Sequence, residues 1–464
     1  MPPNQKPTAS SQFQLTPNTN YHMKNNNLAL LILIFSITGF TQTSFATNGY
    51  QLIGIGSYQK SLAGAVTANP GSAMTAITNP AGMARIDKRA DFSLEMFMPD
   101  RHVDFSSMGG EANDSESNQY GVPALGWSAP VDDDSDVFFG GGIYGTSGLG
   151  TDYPLTRYAA ATPAPTPDIY FEGYSSLQFW QIAPTLAWNV DNKLSLGISL
   201  NIDYQSVSLR QAFIADTTAD GIADTKMMNL DLSRNAQAFG FGFTLGVLYD
   251  VNDQFTVGAS YKSKQQFSDM KYQLSNGDIM DATGQLPITG CPVSAGPPAT
   301  VTCPAGSYSL ELNFPEMISL GTAYKPIDTL TLSLDIKMIK WSDTLDMLKI
   351  SGPNGMSLNM PAGWDDQTII AVGANYAVTD KLNLRVGFNQ SDAPIKNANT
   401  DSNYILPAVT TTHYAIGGDY ALSKYWELGF HASKAQDETL TSPVTGAKIG
   451  LGITTVGINI GYRF

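Results

Sequence analysis

Residues 188–204 read WNVDNKLSLGISLNIDY, and this stretch decides the fold. An aromatic residue is followed by a short polar turn and then by alternating large apolar and small or polar side chains. Such a period of two residues is typical of a β-strand with two unlike faces. One face is apolar, with Leu194, Leu196, Ile198, Leu200, Ile202 and Tyr204, and the other is polar, with Ser195, Gly197, Ser199, Asn201 and Asp203.

The same form recurs along the chain. An aromatic residue, a turn of three to five residues and a new alternating strand are found at 188–194, 249–255, 324–330, 376–382 and 420–426. Each copy predicts a tight hairpin between antiparallel strands. The last strand alternates in the same way and ends on Phe464.

Composition favours a barrel in a membrane over a soluble sandwich, which would also alternate. Only 14% of residues are charged, against about 25% in soluble domains. No apolar run after residue 46 approaches the ~18 residues of a spanning helix. The apolar faces instead match membrane strands of ~9–11 residues, and the Tyr and Trp residues beside the turns match an interfacial girdle.

We therefore predict an all-β transmembrane antiparallel barrel of about 14 strands over residues 90–464. Bacterial barrels have an even strand number, with short turns at one end and long extracellular loops at the other. The long connections are expected near 106–118, 147–174, 209–235, 273–308, 342–363, 391–410 and 434–452.

The N-terminus predicts export. Lys24 precedes the apolar run Leu28 to Phe40, and Ser44-Phe45-Ala46 follows it. These are the parts of a secretory signal peptide, so residues 1–46 are expected to be removed, with Met23 as a possible true start. A membrane anchor is the weaker alternative because the run is short.

Charge and cysteines narrow the partners and the compartment. Removing Lys6 and Lys24 with the leader brings the net charge from −15 to −17, which argues against nucleic acid. Cys291 and Cys303 are the only cysteines, and they lie in a loop rich in Pro, Gly, Ser and Thr. In an exported chain we expect them to form a disulfide.

Residues 47–89, ahead of the first strand, do not follow the alternating pattern. They are rich in small residues and still contain scattered apolar ones such as Leu52, Val66 and Met83. A flexible tail would be more charged and less apolar. We therefore expect this segment to pack inside the barrel lumen.

The residues of this segment resemble those of a known family. Tyr50-Gln51-Leu52, the run through Ala63-Gly64-Ala65, and Asn79-Pro80-Ala81-Gly82-Met83 are similar to the hatch of the FadL/TodX family. These are outer-membrane transporters of long-chain fatty acids, with relatives that admit aromatic hydrocarbons. The likeness continues through Leu312 to Met317, Trp341-Ser342 and the closing Gly461-Tyr462-Arg463-Phe464, and so covers the whole mature chain.

The resemblance implies a 14-stranded barrel plugged by an N-terminal hatch in a Gram-negative outer membrane. It also implies passive uptake: outer loops capture the ligand, a pocket by the hatch receives it, and it leaves sideways into the membrane. The hatch candidates are Tyr50, Leu52, Asn79, Pro80 and Ala81. Lys349 stands at a spacing that resembles the family's ligand-contacting basic position.

Two further candidates come from the residues alone. Arg210, at the outer end of a strand, could meet a carboxylate headgroup. The cluster Gly140, Gly141 and Gly142 could mark the strand distortion of a lateral opening, since glycines mark bulges and kinks.

Four other residues are expected on the lumenal face of the barrel. Asp335 and Lys337 are expected to form an ion pair there, and His413 and His431 are expected to bind no metal.

We expect a monomer with no cofactor, no bound metal and no enzymatic activity. The expected partners are a long-chain fatty acid or other hydrophobic small molecule, outer-membrane lipid and lipopolysaccharide, and the barrel assembly machinery, which would act through Phe464. A general diffusion porin and a surface adhesin or structural barrel remain as alternatives.

Overall fold

The computed structural model describes residues 48–160, 167–296 and 298–464. The predicted signal peptide lies outside these ranges. Among the described residues, no helix is long and apolar enough to cross a membrane.

Fourteen antiparallel strands form the wall. They are β1 (Arg89–Asp104), β2 (Tyr120–Pro130), β3 (Val137–Ala159), β4 (Ile169–Ile182, continued by Thr185–Asn189), β5 (Leu194–Ala215), β6 (Thr225–Asn252), β7 (Phe255–Lys262), β8 (Met317–Ile327), β9 (Leu330–Ile339), β10 (Gln367–Ala377), β11 (Leu382–Ser391), β12 (Thr412–Ala421), β13 (Trp426–Thr441) and β14 (Lys448–Arg463). Each strand pairs with the next, and β14 pairs with β1 from Arg89↔Arg463 to Asp104↔Lys448, so the sheet closes. The predicted architecture and strand number are confirmed.

The burial of side chains is inverted relative to a soluble protein. On β5 the apolar Leu196, Ile198 and Leu200 are 40–51% exposed. Ser199 and Asp203, on the other face of the same strand, are fully buried. The alternation read from the sequence therefore gives an apolar outer face, which meets lipid, and a polar lumen.

All five predicted aromatic-flanked turns are hairpins, at β4–β5, β6–β7, β8–β9, β10–β11 and β12–β13. A sixth short turn, 131–136, joins β2 to β3. The long connections lie at the opposite end, but three are shorter than expected. The strands occupy most of 147–174, 209–235 and 434–452, because strand pairing continues beyond the membrane-spanning part of the wall.

The outer connections carry the remaining elements. Short strands there are Ala112–Asp114, Gln266–Phe267, Met270–Leu274, Ile279–Asp281, Ile288–Thr289, Val301–Thr302, Gly306–Glu311, Met347–Ser351 and Ser357–Pro361. Short helices are Ser106–Met108, Ser342–Leu345, Pro353–Gly355 and Asn397–Ser402. The predicted disulfide between Cys291 and Cys303 is present in the connection from β7 to β8.

Residues 48–88, called here the N-terminal segment, run inside the barrel. The segment contains three helical turns, Gly56–Ser61, Ala73–Ile77 and Pro80–Arg85. Its polar groups bond to inward-facing groups on many strands, among them Asp91 on β1, Asp335 on β9 and Asn389 on β11. A segment bonded to inward-facing groups on several sides of the wall lies within the lumen.

The inverted burial can be tested by placing one charge at two depths. Leu200 lies six residues beyond the β4–β5 turn, which at ~3.3 Å per residue and a ~45° tilt is near the bilayer centre. Val251 lies on the outer face beside the β6–β7 turn. We expect Leu200→Arg to lower the free energy of unfolding in lipid vesicles by about 2–4 kcal/mol and Val251→Arg by about 0–1 kcal/mol. Equal losses in urea titrations would contradict the assignment of this face to lipid.

Candidate functional site

The predicted hatch motif Asn79-Pro80-Ala81 begins a helical turn. Asn79 is the N-cap of Pro80–Arg85, and its Oδ1 accepts a hydrogen bond from the backbone N–H of Ala81 at 3.2 Å. Asn is a preferred N-cap and Pro fits the first helical position. The Asn79 Nδ2 donates to the carbonyls of Thr67, at 2.7 Å, and Val247 on β6, at 3.1 Å. This one side chain therefore joins two parts of the segment to the wall.

Glycines in the wall let the motif lie flush against the strands. A Cβ atom at Gly246 would stand 2.1 Å from Asn79 Oδ1, and one at Gly197 would stand 2.3 Å from the backbone N of Ala81. Both distances are far below van der Waals contact. The small residues of β5 and β6 thus provide the space that the motif fills.

Asp335 and Lys337 form the predicted ion pair, with Nζ and Oδ2 3.6 Å apart. Both also bind the N-terminal segment. Asp335 Oδ2 accepts hydrogen bonds from the N–H groups of Val66 and Thr67, both at 3.0 Å, and from the Thr67 hydroxyl at 2.7 Å. Lys337 Nζ donates to the carbonyl of Gly64. The pair is therefore an anchor of the segment.

A second charged anchor holds the helix Gly56–Ser61. Lys60 Nζ lies 3.0 Å from Glu95 Oε1, and the other Glu95 oxygen lies 2.9 Å from His431 Nε2. His431 Nδ1 is 3.1 Å from the Ser57 hydroxyl. His413 is buried on β12 but is not opposite His431, which pairs in register with Gly417. No metal-binding group of His, Cys, Asp or Glu occurs among the described residues.

Tyr50 and Leu52 lie at the start of the N-terminal segment. The Tyr50 ring is buried in an aromatic cluster, with ring centroids 4.6 Å from Trp341, 5.7 Å from Phe314 and 5.9 Å from Trp364. The Leu52 N–H donates to the carbonyl of Thr146 on β3 at 3.1 Å. The Tyr50 carbonyl accepts a second hydrogen bond from β3, donated by the Gly148 N–H at 3.0 Å.

These two bonds occur where β3 separates from β2. The β2–β3 ladder stops at Ala124↔Tyr144, and backbone hydrogen bonding resumes where the Glu116 N–H donates to the Asp152 carbonyl at 2.8 Å. Between them, no backbone hydrogen bond joins 117–123 to 145–151 in the described structure. Seven residues at ~3.3 Å make an interruption of roughly 20 Å, which we call the wall gap.

Strand β3 stays paired with β4 along the wall gap, and its register shifts between Gly145 and Ser147. Its free edge faces Tyr50 and Leu52 instead of β2. Gly121 lies beside the gap on the outer face of β2, where a Cβ would meet no atom within 4 Å. The N-terminal segment thus takes over hydrogen bonds that a neighbouring strand makes elsewhere in the wall.

The predicted glycine cluster lies just before the wall gap. Gly140, Gly141 and Gly142 still pair with Ser128, Trp127 and Gly126 of β2. They stand opposite the break at 183–184 between the two parts of β4, and Gly141 has φ +124°. The glycines accommodate this break in β4, and the β2–β3 interruption begins three residues further along.

The two predicted ligand-binding cations have different surroundings. Arg210 pairs with Glu172 on β4 at 2.7 Å, with both side chains about one-third exposed. Lys349 lines an open cleft of about 170 Å³ on the outer loops. Glu311, Asp343 and Asp346 line the same cleft, so its net charge is negative. Arg210 already has a carboxylate partner, and Lys349 lies among carboxylates.

Sequence reasoning missed Arg101, an inward-facing residue of β1 that is 1% exposed. Its Nη1 donates to the Ser117 carbonyl at 3.3 Å, and the phenols of Tyr120 and Tyr153 are its electrostatic neighbours. The side chain thus lies by the outer end of the wall gap. The only sequence signal was the alternation Phe97, Pro99, Arg101, Val103, which puts the arginine on the inward face.

Comparison with known proteins fits this architecture. Residues 36–445 match the family model described as outer membrane protein transport protein (OMPP1/FadL/TodX). The chain belongs to this family.

Curated relatives support the membership of this outer-membrane protein. It is 24% identical to the 47 kDa outer membrane protein of Pasteurella multocida over 85% of this chain and 88% of the relative. It is also 24% identical to the long-chain fatty acid transport protein of Escherichia coli K12, over 86% and 88% respectively.

Solved structures share the fold of this family member. The toluene transporter TodX of Pseudomonas putida has a TM-score of 0.68 at 20% identity, covering 89% of this chain and 99% of that one. A FadL homologue of Pseudomonas aeruginosa has a TM-score of 0.63 at 17% identity, covering 91% and 100%.

The anchor at Asp335 can be tested by hydrogen exchange. Asp335→Ala leaves the N–H groups of Val66 and Thr67 without their acceptor, which costs about 1–3 kcal/mol for each unsatisfied buried group. We expect these two amides to exchange at least about tenfold faster, with the barrel strands unchanged. Asp328→Ala, in the exposed β8–β9 turn, is the control. Unchanged protection of 64–68 would show that the anchor does not hold the segment.

Proposed function

We propose that this protein is a passive outer-membrane channel for long-chain fatty acids or similar hydrophobic compounds. The outer loops capture the ligand, a pocket beside the N-terminal segment receives it, and it leaves sideways through the wall gap into the bilayer. The observation that carries the proposal is that the wall is interrupted at the point where the N-terminal segment lies against it.

The chemistry of the ligand explains why a lateral route is useful. A long-chain compound dissolves in the bilayer but crosses the polar sugar layer outside it poorly. Transfer of each CH₂ group from water to an apolar surface is worth ~0.8 kcal/mol. Transfer of such a ligand from the bilayer into the aqueous periplasm is therefore unfavourable. The relatives named above include a fatty acid transporter and a toluene transporter, and most of the surface of both cargoes is hydrocarbon.

The N-terminal segment, acting as a hatch, argues against a general diffusion porin. A porin needs a continuous water-filled passage, whereas here the segment crosses the lumen and is bonded to opposite parts of the wall. An adhesin would need neither this segment nor the wall gap.

The proposed partners also include outer-membrane lipid, lipopolysaccharide and the assembly machinery that would recognise Phe464. The protein is proposed to act as a monomer.

The role of the hatch can be tested at Asn79. Asn79→Ala removes the bonds to Thr67, Val247 and Ala81, and deletion of 48–60 removes the start of the segment. We expect both variants to impair uptake of a labelled long-chain fatty acid while the barrel still assembles. Asn192→Ala, in the exposed β4–β5 turn, is the control. Unchanged uptake by these variants would contradict the hatch assignment. A large steady conductance of the wild type in planar bilayers would favour a porin.

The lateral route can be tested by covering the outer side of the wall gap. Gly121→Trp adds a large ring on the outer face of β2 beside the gap, where no atom lies within 4 Å of the new Cβ. We expect the variant to assemble and to lose most of its uptake. Gly296→Trp, at an outer-loop position with equally open surroundings, controls for the ring itself. Full uptake by the Gly121 variant would contradict an exit at this gap.

A further inference from the structure

Arg101 is a buried cation without a carboxylate partner. Every Asp and Glu of the chain lies within the described residues, and none of them forms an ion pair with it. A guanidinium remains charged in a protein, and removing an ion from water costs several kcal/mol. The side chain is only 1% exposed, so bulk water does not solvate its charge. A hydrogen-bonding or oppositely charged group must offset the cost of burying it.

The other buried arginines of the lumen show how this wall normally treats such a charge. Arg89 is 2.7 Å from Asp91 and 2.9 Å from Glu427. Arg385 pairs with Asp419. Both are nearly as buried as Arg101, at 4% and 5% exposure against 1%. Arg101 is therefore an exception among the three, and the acids next to it in sequence do not help: Asp100 is exposed on the outer face and Asp104 pairs with Lys448.

The unused atoms of Arg101 have a defined geometry. Nη1 donates to Ser117 and the guanidinium also has a hydrogen bond with the Tyr120 side chain, but Nε and Nη2 are buried and without a hydrogen-bond partner among the described residues. These two N–H groups form the edge by which a guanidinium binds a carboxylate through two parallel hydrogen bonds. The Tyr153 hydroxyl, a neighbour of the guanidinium, is also buried and unbonded. Three donors are thus available in one place.

The surroundings of these donors are apolar and continuous with the wall gap. Phe97, Tyr120, Val122 and Leu149 belong to one buried cluster that also contains Tyr50 and Tyr153. Ser117 and Tyr120, which contact Arg101, lie on the β2 side of the gap. An anionic group held at Arg101 would therefore have an apolar wall beside it for an attached chain.

We propose that Arg101, with Tyr153, binds the carboxylate of an amphiphilic ligand at the outer end of the wall gap. This site binds a chain that carries a carboxylate more tightly than a neutral chain of the same length. The inference rests on the proposed function, and it selects one substrate class within it. Arg210 and Lys349 do not set this preference, since one is neutralised by Glu172 and the other lies among carboxylates.

The test compares two ligands that differ only in the headgroup. Binding of palmitate and of hexadecan-1-ol is measured on the purified protein in a neutral detergent, by competition with a fluorescent probe. Hydrogen bonds to a buried charge predict that the wild type binds palmitate about 10- to 100-fold more tightly than the alcohol. Arg101→Met should bring this ratio close to one while leaving the affinity for the alcohol unchanged.

Conservative variants separate charge from folding. Arg101→Lys keeps the charge but loses the two-donor edge, so we expect a preference between those of the wild type and Arg101→Met. Tyr153→Phe should lower the ratio by a few-fold. Arg210→Met and Lys349→Met should retain it. Heat-modified electrophoretic mobility verifies that each barrel has assembled.

The outcomes distinguish this inference from the proposed function. If the wild type binds and takes up both ligands equally, the inference fails and the proposed function stands. If it binds and takes up neither, the proposed function fails as well. Tighter binding of hexadecyl phosphate than of palmitate would overturn the carboxylate assignment in favour of a phosphate-headed lipid. Loss of preference in Arg210→Met or Lys349→Met, with Arg101→Met unaffected, would also overturn it.

Discussion

Inside the hydrocarbon of a bilayer, backbone N–H and C=O groups have no water to bond to, and each unpaired group costs several kcal/mol. The closed hydrogen-bond ladder follows from this constraint. Strands β14 and β1 pair along their whole length, from Arg89 to Asp104, so the sheet has no free edge there. Closure creates an outer face that lipid selects to be apolar and an inner face that can be polar.

The wall gap is the exception that this constraint allows. Strand β3 leaves β2 after Tyr144, and its edge at 146–148 would be unpaired if nothing else reached it. Tyr50 and Leu52 supply bonds there from inside. An interruption of the wall and a segment within the lumen therefore depend on each other, which joins the position of the N-terminal segment to the route proposed for the ligand.

Buried charges position that segment. Asp335 accepts bonds from Val66 and Thr67 while pairing with Lys337. Glu95 pairs with Lys60 of the segment and contacts His431. Several bonds thus offset the cost of burying each carboxylate. Arg89 and Arg385 follow the same rule within the wall. Arg101 does not, and its free donor edge lies beside the gap. Carboxylates of the same chain pair with Arg89 and Arg385, whereas the partner that we propose for Arg101 is the ligand.

The sequence by itself determined the strand alternation, the five aromatic-flanked turns, the strand number and the disulfide, because these depend on neighbours in the chain or on a period of two residues. It also indicated that residues 47–89 pack inside, since their apolar residues need a place away from water. Asp335 and Lys337 were predictable as an ion pair because they stand two residues apart on one face.

Only the tertiary structure decided what these residues contact. The alternation puts Asp335 and Lys337 on the inner face together, whereas it puts Asp100 on the outer face and Arg101 on the inner face. Whether a strand distant in sequence brings a carboxylate to Arg101 depends on the closed sheet. Gly140, Gly141 and Gly142 do not lie in the wall gap. They accommodate a break in β4, a strand that becomes their neighbour only in the folded sheet. Local pattern sets which face a side chain takes, whereas its partners come from strands brought together by barrel closure.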